Sequence, residues 1–202
     1  MTKLSRETII NEALDLLDEV GLDAVSTRLL AKRLGVEQPS LYWHFRKKQD
    51  LLSAMANAAM APHAAAPLPT HSDNWRIWFC ANTRSFRRTL LLRRDGARLH
   101  AGSRPAASDM KRIAKKLAFL INAGISERDA KMAMLAAGRY TVGCVLEEQA
   151  EVEAQTADVL PIDHDAAFEA GLILIVDGLA ATRTCDPSFD EQEGGVGEIS
   201  HR

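Results

Sequence analysis

One glycine, Gly35, divides two short segments whose apolar residues both recur at helical spacing, and this pairing constrains the chain more than any other feature. Leu30 and Leu34 share a face of the first segment, Leu41 and Phe45 a face of the second. Ala31 lets the two segments approach closely, and Val36 plugs the turn between them. Pro39 is tolerated because the first turn of a helix has no intrahelical partner for its N–H groups. The pattern predicts a helix-turn-helix. The second helix keeps Tyr42, Trp43 and His44 on its remaining face, too aromatic a surface for contact with water alone. Its N-terminal Gln38, Pro39 and Ser40 suit base edges, while hydroxyl and ring groups suit phosphate and sugar.

The formal net charge of −2 over 202 residues argues against nucleic acid, but its distribution argues for it. From Met1 to Asp23 there are six acids against Lys3 and Arg6, a net of −4. From Ala24 to Gln49 there are six bases against Glu37, a net of +5. A nearly neutral chain can therefore present one basic face to phosphate.

Around this stretch the periodicity predicts helices throughout. Ser5 is a good N-cap for a helix over about residues 6–20, with Gly21 at its C-terminal end, and Ser26 caps the first helix of the central pair. A fourth helix follows Arg46 and Lys47 and opens with Lys48, which either attracts a phosphate to the helix N-terminus or is simply solvated. Residues 61–72 hold three prolines and end that helix, a natural place for a boundary. Asp73 is expected to cap a long helix to about Leu92, followed by a turn at Asp95-Gly96 and a short segment to His100. Ser108 then caps a helix ended by Gly124, and Ser126 with Asp129 starts a long, largely apolar helix to about Ala154. A loop over 155–163 precedes a last helix from about Asp165 to Thr182. The last helix's apolar surface is wider than one core contact requires and reads either as core or as a subunit interface.

Aromatics at 5% and abundant alanine and leucine favour packed helices over sheets. No run reaches the roughly 18 to 20 apolar residues of a membrane span, and the N-terminus lacks a signal-peptide core. Cys80, Cys144 and Cys185 are odd in number and widely spaced, as expected of reduced thiols in a cytoplasmic protein.

The N-terminal helices with Tyr42-Trp43-His44-Phe45 resemble the TetR family of transcriptional repressors. Within that family Glu37 through Phe45, Ser85-Phe86-Arg87, Arg94 through Ala97, His100 through Pro105 and Val142 through Gln149 are similar to the tetracycline repressors. The resemblance spans about residues 1–182. It implies an all-α fold: a three-helix DNA-binding domain over 1–48, a ligand-binding and dimerisation domain over 49–183, and a disordered tail over 184–202. It also implies a homodimer reading a palindromic operator, nucleoid-associated in the cytoplasm and not in a membrane. By resemblance, Arg28 reaches a guanine edge, and Gln38, Pro39 and Ser40 contact base edges or thymine methyls. Thr27, Tyr42 and Lys48 hold phosphates, with Trp43 and His44 seating the helix.

In tetracycline repressors the inducer enters as a magnesium chelate, so the resemblance implies Mg2+ with a tetracycline-type ligand. His100 matches a metal-ligating histidine, Glu147 a carboxylate acting through water, and Ser103 a water-orienting hydroxyl. Asn82, Phe86, Arg104, Pro105, Ile113, Lys116 and Met134 match ligand-contacting positions. The pattern departs from the family at several of them. A ligand-binding histidine corresponds to Ala64, with His63 one residue and ~100° of helix rotation away. Lys116 stands for a glutamine and Lys131 for a leucine, and the 151–163 connection is too short for an additional helix. A second inducer class, anionic or aromatic, follows from those lysines and the basic run from Arg84 to Lys116, most of which reads as solvated faces. A metal-dependent hydrolase using His63, His100 and Glu147 is the distant alternative, but neither HExxH nor a nucleophile elbow nor a phosphate loop is present.

Overall fold

The computed structural model describes residues 4–103, 107–154 and 162–182, and the expectations for Arg104, Pro105, most of the 155–163 loop and the 184–202 tail lie outside them. Every regular element among the described residues is a helix: α1 (Arg6–Val20), α2 (Thr27–Leu34), α3 (Gln38–Tyr42), α4 (Lys48–Ala59), α5 (Ala61–Ala65), α6 (Trp75–Leu91), α7 (Gly96–Ala101), α8 (Ala107–Asn122), α9 (Glu127–Ala154) and α10 (His164–Thr182).

Local chemistry sets the boundaries. The Ser5 hydroxyl accepts from Thr8 N–H, and Ser26 from Leu29 N–H, so both predicted N-caps form. Gly35 adopts φ 64°, the left-handed conformation that costs glycine least, and its N–H returns to the last turn of α2. Two expectations need correction. The cap of α6 is Asn74, whose Oδ1 accepts from Arg76 and Ile77 N–H; Asp73 instead accepts from Thr70 N–H. The proline-rich 61–72 stretch also contains a helix, α5, because Pro62 falls in a first turn where no N–H is needed.

Two main cores result. The head core joins α1 to α4 through Ile9, Leu17, Leu30, Leu41, Phe45, Leu51 and Met55, and takes in Leu99 from α7. Head packing therefore continues through α4 instead of stopping at residue 48. The second core unites α6, α8, α9 and α10 around Phe79, Leu120, Phe168 and Leu172. Ile173 and Leu174 remain exposed on α10, at 52% and 74% of their surface.

Ion pairs stitch the two halves together. Arg93 pairs with Asp15 and Asp18, Arg98 with Asp23 and Asp95, and the Asp95 carboxylate also accepts from Leu22 N–H at 2.7 Å. Arg84 pairs with Glu169, and Arg87 with Glu148 and Asp165. The basic run is thus largely structural and only in part a solvated face.

Candidate nucleic-acid interface and ligand cavity

The head gathers its candidate contacts on one side. Gln38 Nε2 donates to Thr27 Oγ1 at 2.9 Å and to Tyr42 Oη at 3.4 Å, so three expected contact residues from two helices are held together before any ligand arrives. Trp43 is 91% exposed beside the exposed Tyr42 and Pro39, a large apolar area that water alone does not explain. Arg28, Lys32, Arg46, Lys47 and Lys48 are exposed. Arg33 is not part of this cationic face, because it turns back onto Glu12 and Glu19 of α1 at 2.8 and 2.6 Å. Ser40 and His44 are half-buried, and the His44 carbonyl accepts from Arg6. Lys48 opens α4 as expected, and Asp50 accepts from Lys47 N–H in the same turn.

Beneath the head lies a cavity of about 690 Å³ enclosed by α4 to α9. Of the expected ligand contacts, Asn82, Phe86, His100, Ser103, Ile113, Lys116 and Met134 all line it. Phe86 stands between two imidazoles, with ring centroids 5.0 Å from His100 and 5.5 Å from His63. The Nδ1 of His100 is buried and makes no hydrogen bond among the described residues. Burial holds the His100 imidazole below its ordinary pKa against the opposing pull of Asp109, so it is neutral at pH 7. Ser103 donates its hydroxyl to the His100 carbonyl at 2.7 Å.

The departures resolve differently from one another. His63 does reach the cavity, alongside Ala64, and its Nε2 lies 3.2 Å from Lys116 Nζ. Since an ammonium only donates, Nε2 is the acceptor; Nδ1 carries the proton and donates to Ser85 Oγ at 3.1 Å. Burial, then the charges of Lys116 and Arg112, push His63 down to about 4. Burial and Arg112 likewise push Lys116 down to about 8, yet at pH 7 it remains cationic. Lys131, in contrast, points away to Glu127 and adds no charge to the cavity. Glu147 is exposed and does not line the cavity of its own chain.

Asp109 and Arg139, not singled out from the sequence, also line the wall, together with Arg112 of the basic run. Asp109, Arg112, Ile113 and Lys116 occupy one face of α8 at helical spacing, a signal that was available but resembles a solvated stripe. The lining holds three basic side chains against one carboxylate.

Residues 9–55 match the family model described as bacterial regulatory proteins, tetR family, and residues 66–161 the tetracyclin repressor-like C-terminal domain. The class A tetracycline repressor of transposon 1721 from Escherichia coli is 47% identical, over 91% of this chain and 94% of that protein. A TetR-family transcriptional regulator from Streptomyces coelicolor is 68% identical, with a TM-score of 0.71, covering 88% of this chain and 99% of that one. The structure of class A TetR with 5a,6-anhydrotetracycline and magnesium is 48% identical, with a TM-score of 0.76 over 88% and 99% of the two chains.

Proposed function

Because the chain belongs to the tetR family of bacterial regulatory proteins, we propose that it is a dimeric repressor that holds a palindromic operator until a small molecule enters the cavity under its head. It is a transcriptional repressor closely related to the tetracycline repressors, not an enzyme, and the hydrolase alternative falls with that kinship. No described helix is long and apolar enough to cross a membrane.

The observation that carries the mechanism is the double duty of α4. Leu51 and Met55 pack in the head core, Lys48 faces outward at its start, and Ala56 and Asn57 wall the cavity. Twelve helical residues form a strut of about 18 Å. A ligand that displaces the cavity end of this strut turns the head as a unit. In a dimer two heads must meet successive major grooves about 34 to 36 Å apart, so a small rotation of each is enough to lose register.

On the head, Arg28 is assigned to a guanine edge, Gln38, Pro39 and Ser40 to base edges, and Thr27, Tyr42, Trp43, His44 and Lys48 to backbone and seating contacts. Selection from random duplexes tests this reading. It predicts enrichment of a palindrome by the full chain and failure of Arg28→Ala to enrich it. Recovery of no palindrome contradicts the reading.

Kinship favours a tetracycline–magnesium inducer, since a class A complex with anhydrotetracycline and magnesium is a near structural relative and Asn82, Phe86 and His100 line the cavity here. The cavity's own charges oppose a divalent cation. Mg2+ keeps several waters and would take further oxygens from a chelating inducer, and the described residues add no cluster of three metal-binding side chains to it. His100 offers one imidazole and Asp109 one carboxylate, against Arg112, Lys116 and Arg139. Charge in the contact layer acts directly on the ligand and favours an anionic inducer over a cationic chelate.

A further inference from the structure

We propose that the effector is an organic monoanion, a carboxylate on a largely apolar body, held between Lys116 and Arg112. The inference rests on the reading that the cavity is the effector site and names the chemistry that site selects.

Lys116 is 7% exposed, and its ammonium gives one of three N–H groups to His63 Nε2 at 3.2 Å. A neutral imidazole satisfies that donor without neutralising the charge. Arg112 stands one helical turn before Lys116 on the same face of α8, and one of its terminal nitrogens donates to the Ala66 carbonyl at 2.5 Å. Arg139 contributes from α9, and Asp109 is the single carboxylate in the lining. The Arg112 charge opposes protonation of Lys116, so the two repel across a partly desolvated wall, and an anion between them relieves the repulsion.

The shape of the pair sets the anion's class. A carboxylate has two oxygens in one plane, so one can accept from the ammonium while the other accepts from the guanidinium. Asp109 already balances part of the positive charge, which favours a monoanion over a phosphate-like dianion. The remaining wall, with Phe86, Ile113, Met134, Val142 and Leu146, is apolar or aromatic and suits a hydrophobic body.

Anthracene-9-carboxylate and its neutral carboxamide are matched probes, titrated by fluorescence into the full-length protein and its Lys116→Gln and Met134→Trp variants. The carboxylate should bind about tenfold or more tightly than the carboxamide, the range expected of a hydrogen bond to a charged group. In Lys116→Gln, confirmed as folded by its melting curve, the preference should collapse. In Met134→Trp, which fills the cavity, both probes should be lost. If carboxylate and carboxamide bind alike in the wild type and both disappear in Met134→Trp, the anion proposal is overturned while the cavity remains the ligand site. Preference surviving in both variants places the ligand elsewhere and overturns the cavity reading too. Binding of neither probe to the wild type also overturns the proposal.

Discussion

Leu99 and His100 are consecutive residues of α7, yet Leu99 is buried in the head core while the His100 ring stacks edge-on against Phe86 in the ligand cavity. One peptide bond therefore joins the reading half of the molecule to the sensing half. Gln49 of α4 strengthens the junction by donating to the Gly102 carbonyl at 3.2 Å.

The two residues should separate under mutation. Leu99→Ala removes a side chain that is 3% exposed and should cost about 2 to 4 kcal/mol in urea unfolding. His100→Ala should leave operator affinity within twofold while weakening the response to ligand. Equal losses of stability in both variants would contradict the division.

On the head, Trp43→Ala should change stability by no more than about 0.5 kcal/mol, because the ring is almost fully exposed. Its operator affinity should nevertheless fall. Arg28→Ala should weaken binding by about 1 to 3 kcal/mol and relax selectivity at one base pair, whereas Lys48→Ala should weaken all sequences alike and reduce the log–log salt slope by about 1. Competition titrations at several fixed salt concentrations read both. Unchanged selectivity in Arg28→Ala would remove it from base contact.

Acid should destabilise the cavity through His63. Its pKa is lowered from 6.5 to about 4 by burial, by Lys116 and by Arg112, with His100 also adverse. Between those values the unfolded chain binds the proton and the folded chain does not, so stability falls as pH drops from 6.5 toward 4. The contribution is on the order of 1 to 3 kcal/mol. Lys116, lowered to about 8 from 10.5, has the same sign higher up, gaining stability as pH rises through 8 to 10.5. Melting curves of wild type minus His63→Gln across pH 4 to 7 isolate the first effect; parallel curves would exclude it.

If the chain forms the dimer proposed above, the exposed Ile173 and Leu174 of α10 are its expected contact. Leu174→Glu should yield a monomer by analytical ultracentrifugation and lose full-operator binding, since one head reads half a site. A dimer that persists would move the interface elsewhere.

Much of this architecture could be read from local chemistry. Ser5, Ser26, Gly35 and Pro39 act within three or four residues of their partners, so the head followed from spacing alone. The cavity depends on which face α8 turns inward. Asp109, Arg112 and Lys116 form a stripe that would serve equally well against water, and only packing against α9 decides between them. The ion pairs joining Arg93 to Asp18 of α1 and Arg98 to Asp23 just beyond it each span 75 residues, and no local signal marks them. His63 and Ala64 both line the cavity from α5, so a rotation of one residue along the helix does not exclude His63.

On the proposed reading, this cavity controls the head and selects an anion over a metal chelate. Mobility shifts of the selected operator, titrated with tetracycline plus magnesium and separately with anthracene-9-carboxylate, test it most directly. The complex should survive saturating tetracycline–magnesium and be released by the carboxylate. Release by tetracycline–magnesium with no effect of the carboxylate would contradict that reading.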